Sequence, residues 1–476
     1  MERLLRLSLL AVLLLAIGST GASAAGGVTY SSGFQIQNLE ADQANVSLQF
    51  YNQDGTVAAS PSYTIAGNSS RTFFPITDVP SGFNGSLVAS SDKNIRAIAN
   101  LVGSGPANYF ASYNGFQGGS TTVSLPLIMC NNSGFDTFFN VQNAGSAAAN
   151  ITINYTPGSD GASGKSEAAT IQPGAAKTFD QATGSATLNC ATLQGGTLKF
   201  IGSAIITSNQ PVVASVMQIN TTGFKVLMGY DGFTAGSPTV ALPLIMANNS
   251  GFYTGLQVQN VGGSATTVTV AYSTNTVGAN NPVNETFTLA AGASKTIQQN
   301  AAPPSNGSAN NWGTVGRYIG AATITNSANQ PLVAIVNQVR PSPALGAAYE
   351  GFDPAAATAK ASAPLIMANN SSYYTGVQVQ NVSGGSVNVT IQYGPNTAGA
   401  FAPANEVFSL GAGSSKTIIQ NGAPPNNGSA VNNWGANKYI GSATITATGG
   451  NIVAVVNQVS GSVAGDQFAA SNAFNY

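Results

Sequence analysis

The chain reads as an all-β protein: four tandem antiparallel β-sandwich domains, immunoglobulin-like or jelly-roll-like, after a signal peptide. Three observations predict this. First, one motif returns along the chain, so several copies of one small unit are expected. Leu-Pro-Leu-Ile-Met-Cys-Asn-Asn-Ser at residues 125–133 reappears at 242–250 with Ala in place of Cys, and again from Pro364 to Ser371. Each recurrence leads into a Gln-Asn pair, Gln142-Asn143, Gln259-Asn260 and Gln380-Asn381, and a degenerate first copy keeps only Gln37-Asn38. Second, every copy carries short runs in which apolar residues alternate with polar ones, the pattern of a half-buried strand. Third, nothing after the first two dozen residues sustains a 3.6-residue apolar period long enough for a helix.

The N-terminus is read as a signal peptide. Glu2, Arg3 and Arg6 precede an apolar run over 7–17, and Ala22-Ser23-Ala24 supplies small residues for cleavage, giving a leader at 1–24. The run is far shorter than the roughly 20 residues of a membrane span. The C-terminal residues carry no apolar tail, so the mature chain is expected to have no transmembrane anchor. Prolines Pro126, Pro243 and Pro364 lie 117 and 121 residues apart, which divides the rest into repeats at 25–120, 121–237, 238–359 and 360–476. These lengths suit single domains and leave little room for linkers, which predicts a stiff rod or a compact stack.

Within each copy the strands follow in one order. After the Gln-Asn pair comes an alternating run: Val46, Leu48, Phe50; Ile151, Ile153, Tyr155; Val268, Val270, Tyr272; Val389, Ile391, Tyr393. A hairpin is expected next, with Thr286-Phe-Thr-Leu and Ser294-Lys-Thr-Ile flanking a Gly-containing turn. Two more runs, 319–325 and 332–339 in the third copy, are joined by Asn329-Gln330-Pro331, and Asn209-Gln210-Pro211 holds the matching place in the second. An aromatic close ends each copy: Tyr113-Asn-Gly-Phe116, Tyr230-Asp-Gly-Phe233, Tyr349-Glu-Gly-Phe352 and Ser471-Asn-Ala-Phe474. With motifs such as Leu-Pro-Leu-Ile-Met-Ala-Asn-Asn repeated along the mature chain, the protein resembles the tandem β-sandwich repeats of bacterial cell-surface proteins, of adhesin-stalk or surface-layer type. That resemblance implies an extracellular structural or adhesive role and carries over no functional residue.

Charge narrows the function. Only 7% of residues are charged, against about 25% in typical soluble proteins, and fifteen Lys and Arg balance sixteen Asp and Glu. No net field exists to attract nucleic acid or an anionic membrane. Expected partners are other copies, other surface proteins or glycans. His is absent, which removes Ser-His-Asp and Cys-His nucleophilic sites and His-based zinc sites. No catalytic, cofactor-binding or metal-binding residue is assigned, and the protein is read as a non-enzyme. Glycosylation sequons, among them Asn45, Asn84, Asn150, Asn248, Asn306, Asn388 and Asn427, would supply the solvation that charge does not.

Three sets of residues stand out. Glu167, Glu285 and Glu406 each lie ten residues before a lysine, Lys177, Lys295 and Lys416. Across a hairpin these would face one another as cross-strand ion pairs; the sharper alternative is a Lys–Asn isopeptide crosslink promoted by the Glu. Cys130 and Cys190 both fall in the second copy, and in an exported chain are expected to form a disulfide that stabilises by roughly 4 kcal/mol in the chain-entropy model. On alignment, Cys130 replaces Ala247 and Ala368, while Cys190 lies in the segment holding Trp312 and Trp434. One contact in two chemistries is therefore expected, a disulfide in copy two and a Trp packed over Ala in copies three and four. Trp312 and Trp434, in Asn-Asn-Trp-Gly loops, together with Tyr253, Tyr373 and Tyr374, are candidates for packing or for stacking on sugars. The function expected is that of a secreted or surface-displayed structural or adhesive protein, such as a subunit of a surface layer or filament; the alternatives are a carbohydrate-binding array and, third, an extracellular hydrolase.

Overall fold

The computed structural model describes residues 8–16, 27–158, 163–182, 184, 186–193 and 198–476. It is built almost entirely of antiparallel strands, with one short helical turn at Trp312–Val315. The chain forms four units in sequence order, and each unit presents two sets of strands.

The third unit shows the plan. One sheet runs Thr239–Ala247, Tyr318–Asn326, Thr266–Tyr272, Glu285–Leu289; the other runs Ser294–Gln298, Tyr253–Asn260, Leu332–Pro341, Ala344–Glu350. The fourth unit repeats this order and adds Phe474–Asn475 beside Lys360–Ala368. In the second unit a single strand, Phe200–Asn220, runs through both sets, so Asn209-Gln210-Pro211 lies inside a strand and not in the turn expected from sequence. Burial along Ala149–Pro157 alternates as the period-two pattern predicts. The opening strands differ. From Val123 to Cys130 and from Val240 to Ala247 every residue is buried, so both faces of these strands are covered.

The neighbouring unit covers the second face. The core of the second unit takes in Ile335, Val339 and Ala348 of the third, and that of the third takes in Val455, Phe468 and Ala470 of the fourth. The series also closes. Ile98 of the first unit packs with Leu365 and Met367 of the fourth, and Gln35 donates to the Pro364 carbonyl at 2.6 Å just as Gln378 donates to that of Pro243 at 3.0 Å. The four units therefore form a ring and not a rod. The last strands of the units, Asn108–Asn114, Val226–Asp231, Ala344–Glu350 and Phe468–Asn472, contact one another in cyclic order around its axis.

Three of the four seams carry the same reciprocal amide pair: Gln218 with Asn337 (2.6 and 3.0 Å), Gln338 with Asn457 (2.7 and 2.9 Å), and Asn100 with Gln458 (3.1 and 3.2 Å). At the seam between the first and second units these positions are Leu101 and Met217, both buried in one shared core. Buried amides that satisfy each other hold a register without demanding charge. A chain with 7% charged residues can assemble this way.

Candidate functional site

Two regions gather the polar side chains that recur between repeats: a loop cage at the outer end of the sandwiches, and the ring axis. The cage begins at the Asn-Asn-Ser turns. Asn131, Asn248 and Asn369 adopt φ of 51°, 49° and 47°, a left-handed conformation that Asn tolerates better than most residues. From there each Nδ2 reaches back to carbonyls of the facing loop, among them that of Cys190 at 2.9 Å, Trp312 at 2.9 Å or Trp434 at 3.0 Å. Cys190 is thus the structural counterpart of the two tryptophans. Cys130 and Cys190 form a disulfide with Cα atoms 5.0 Å apart, and in the third unit Trp312 shares a core cluster with Ala247, as Trp434 does with Ala368 in the fourth.

Both tryptophans are fully buried, at 0% exposure, with their rings edge-on to Tyr272 at 5.3 Å and Tyr393 at 5.1 Å. This corrects the sugar-stacking alternative, since a ring without an exposed face offers nothing to a sugar. Trp312 Nε1 donates to Ser308 Oγ at 3.0 Å, whereas Trp434 Nε1 has no partner. The loops that carry Trp also close over a glutamate. Glu285, 3% exposed, accepts from Ser308 Oγ, from the Ala309 N–H at 2.6 Å and from Asn310 Nδ2 at 2.9 Å. Glu406 accepts from Ser429 Oγ at 2.6 Å and Asn432 Nδ2 at 2.7 Å. Burial, and next the neighbouring carboxylate, push the Tyr272 and Tyr393 phenols up. Asn306 and Asn427 are buried in the same cage and donate to its carbonyls, which occupies two of the sequon amides.

The expected Glu–Lys ion pairs do not form. Glu285–Leu289 and Ser294–Gln298 lie in different sheets, because the Gly-containing loop crosses from one sheet to the other instead of turning back along it. Glu167 and Lys177 are separated likewise, as are Glu406 and Lys416. Glu167 accepts from Tyr155 and from the Thr187 N–H at 3.2 Å. Lys177, Lys295 and Lys416 instead lie over Phe179, Phe287 and Phe408 at 5.6, 4.5 and 4.8 Å. With each Glu held away from its Lys, the isopeptide alternative loses its geometry.

Tyr253 and Tyr373 belong to seams. Tyr253 packs on the second unit's core and lines a cavity of about 260 Å³ with Leu127, Phe135, Phe224 and Val339. Tyr373 meets Phe110 of the first unit edge-on at 5.5 Å and donates to Gln467. Tyr374 is half-buried next to it. On the first unit an open groove of about 700 Å³ is lined by Asn45, Tyr63, Arg71 and Asp92 among others. Arg71 stacks on Tyr63 at 4.3 Å there, and Asp92 is held by the Asn45 N–H and Nδ2, each at 2.8 Å.

At the axis, the residue after each closing aromatic position, Asn114, Asp231, Glu350 and Asn472, joins a cyclic set of hydrogen bonds. The Asn114 N–H donates to Asp231 Oδ2 at 2.9 Å, Asp231 N–H to Glu350 Oε1 at 2.5 Å, Glu350 N–H to Asn472 Oδ1 at 3.3 Å, and Asn472 N–H to Asn114 Oδ1 at 3.2 Å. The two asparagines return a second bond, Asn114 Nδ2 to the Asn472 carbonyl and Asn472 Nδ2 to that of Glu350, both at 2.9 Å. Asp231 Oδ1 has no partner. Desolvation, with Glu350 nearby, holds the Asp231 carboxyl well above its ordinary range, and desolvation pushes Glu350 up to about 7. At the other end of the axial strands the buried Asp466 accepts from the Leu227 N–H at 2.8 Å and the Gly346 N–H at 2.9 Å, and burial raises it too. The four-residue close is legible in the sequence but the axial position within it is not; the signal is one motif slot filled by Asn, Asp, Glu and Asn.

A model for a family of unknown function (DUF5719) matches residues 26–182. Nothing among the curated proteins matches the chain. Among solved structures, the crystal structure of Thermotoga maritima 1070 is 19% identical over 24% of this chain and 94% of its own, with a TM-score of 0.19. A biofilm-associated protein BSP domain is 8% identical over 98% of this chain and 96% of its own, with a TM-score of 0.14. Glycoside hydrolase family 32 from Bifidobacterium adolescentis is 9% identical over 94% and 98%, with a TM-score of 0.12.

Proposed function

We propose that the protein is an exported, non-catalytic structural or adhesive element whose four repeats act together as one ring-shaped body. The observation that carries this reading is where the recurring polar groups are spent. The buried amides of Asn143, Asn260 and Asn381 each bind a carbonyl four residues on, at 2.7, 2.8 and 2.7 Å. Glu285 and Glu406 are closed inside loops, and the Gln–Asn pairs hold the seams. What the repeats share is a set of fasteners, which favours architecture over chemistry. The disulfide and the leader-like N-terminus agree with assembly outside the cytoplasm. No helix among the described residues is long and apolar enough to cross a membrane.

The test is electron microscopy and sedimentation of the purified leaderless chain over a range of concentrations. Ordered arrays or filaments formed without ligand support a surface-layer or filament subunit. A chain that stays monomeric and binds oligosaccharides overturns this reading in favour of a glycan binder. In that case the first unit's groove is the place to look, because Trp312 and Trp434 are buried.

A further inference from the structure

The first repeat has no Leu-Pro-Leu-Ile-Met segment, yet its sheet is complete. In the second, third and fourth units the strand beside Phe200–Asn220, Tyr318–Asn326 or Tyr439–Thr448 is the opening one, Ser120–Cys130, Thr239–Ala247 or Lys360–Ala368. In the first unit that place is taken by Ser8–Ala16, antiparallel to Asn84–Ser91 from Ser8 opposite Ser91 to Ala16 opposite Asn84. Even the irregularity is shared: register shifts fall at Leu125/Ile128, Leu242/Ile245 and Ala363/Ile366, and at Ala11/Leu13 in the first unit. Ser8–Ala16 is also the apolar run that the sequence marks as the heart of a leader ending at Ala24. Cleavage there removes the strand, and the mature first repeat begins at its Gln-Asn strand, Thr29–Asn38.

We propose that the processed first repeat is a strand acceptor: the edge of Asn84–Ser91 receives, in trans, an extended apolar segment of about nine residues from another polypeptide. Three points carry this. An open sheet edge is a template for another strand, and natural edges are guarded by Lys, Pro or bulges; Asn84–Ser91, Asn-Gly-Ser-Leu-Val-Ala-Ser-Ser, has no charged residue and no proline. The vacated place faces Thr29–Asn38 and Ile95–Ser104 of the opposite sheet. Its outer side meets the neighbouring Phe135–Asn143 strand of the second unit, as the other opening strands meet theirs. The equivalent places show what fits: a strand apolar on both faces, paired antiparallel, as in Thr-Val-Ala-Leu-Pro-Leu-Ile-Met-Ala. In a second copy the strands of this kind are already buried in their own units, so the donor is a segment of a different chain.

The inference rests on the leader reading, and the experiment separates the two. Intact mass of the exported protein comes first. A retained leader, near 47.9 kDa, means the place is filled in cis and overturns the proposal at its premise. For the chain from residue 25, a dye-labelled peptide of the Thr239–Ala247 sequence is titrated, with amide exchange of Asn84–Ser91 followed. The expected result is saturable 1:1 binding, at least tenfold weaker for the peptide carrying Leu242→Asp, and slowed exchange along Asn84–Ser91. A second chain, with residues 8–16 replaced by that sequence and processing blocked, should melt higher than the leaderless chain and bind no peptide. If the leaderless chain binds neither peptide, or both equally, or melts no lower than the second chain, the acceptor does not exist.

Discussion

Among the buried carboxylic acids of this chain, two pairs are kept in opposite ways. In the loop cage, Glu285 accepts from hydroxyl, amide and backbone donors and Glu406 from hydroxyl and amide donors, each set from one nearby stretch of its own repeat. On the axis, Asp231 and Glu350 each accept one backbone N–H from the preceding repeat, and no lysine or arginine is among the groups acting on either. A loop can bend to bring several donors to one carboxyl group, so the protein itself supplies its hydrogen-bond partners. An axis made of four equivalent strands offers each member one N–H and, by the pattern of Asn114 and Asn472, one carbonyl. The member's second atom must then be a donor. Asparagine provides it with Nδ2; a carboxyl provides it only as the protonated acid.

The cage is broken most severely by Trp312→Ala, which empties a site of 0% exposure and is expected to cost roughly 3–5 kcal/mol by denaturant unfolding. A loss below 1 kcal/mol would show that the Asn-Asn-Trp-Gly loop is dispensable. The axis is probed next, by pH. The Glu350 carboxyl is raised from 4.5 to about 7, so the folded state holds a proton that the unfolded chain releases earlier. The sign follows: this stability is fully present below about pH 4.5, is lost as pH rises through about 7, and is flat above. The loss amounts to about 3 kcal/mol. Measured as the difference between the wild type and Glu350→Gln, it should appear as a slope between pH 4.5 and 7. A difference independent of pH would refute the protonated axis.

The opposite response is expected in the cage. Glu285→Gln replaces one accepting oxygen by a group that donates, facing either Asn310 Nδ2 or the Ala309 N–H, and should destabilise by about 2 kcal/mol. Thermal melts of the two Glu→Gln variants at pH 8 therefore test the comparison directly: the cage variant melts lower than wild type, and the axis variant does not.

Much of the architecture was legible in the chain. Repetition, alternation and turn residues yield an all-β fold, and the alignment of Cys190 with Trp312 and Trp434 anticipates a shared position that the Asn131, Asn248 and Asn369 bonds bear out. What misled was the Glu-to-Lys segment. Two alternating runs around a Gly-containing turn look alike whether the chain doubles back within a sheet or crosses between sheets, and only the pairing of Val258 with Lys295 and of Val270 with Glu285 distinguishes them. The ring was hidden for a different reason. Contact between Gln35 and Pro364 spans 329 residues, and no local pattern records it. The one local trace is that the opening strands are apolar at consecutive positions, which half-buried strands are not.

The smallest expected effect is the most discriminating. Asp231→Asn would place an amide where the axis already uses one at 114 and 472, with Oδ1 accepting the Asn114 N–H and Nδ2 donating where Asp231 Oδ1 now has no partner. If Asp231 fills this place only by holding a proton, the substitution supplies that donor permanently and relieves Glu350 of a neighbouring carboxyl. A gain of about 1 kcal/mol at pH 8, shrinking toward zero at pH 4.5, is the expected outcome by paired chemical denaturation curves. Most substitutions of a buried polar group destabilise. A loss at pH 8 would mean that Asp231 is stabilised as the anion and that the axis needs no proton at that place.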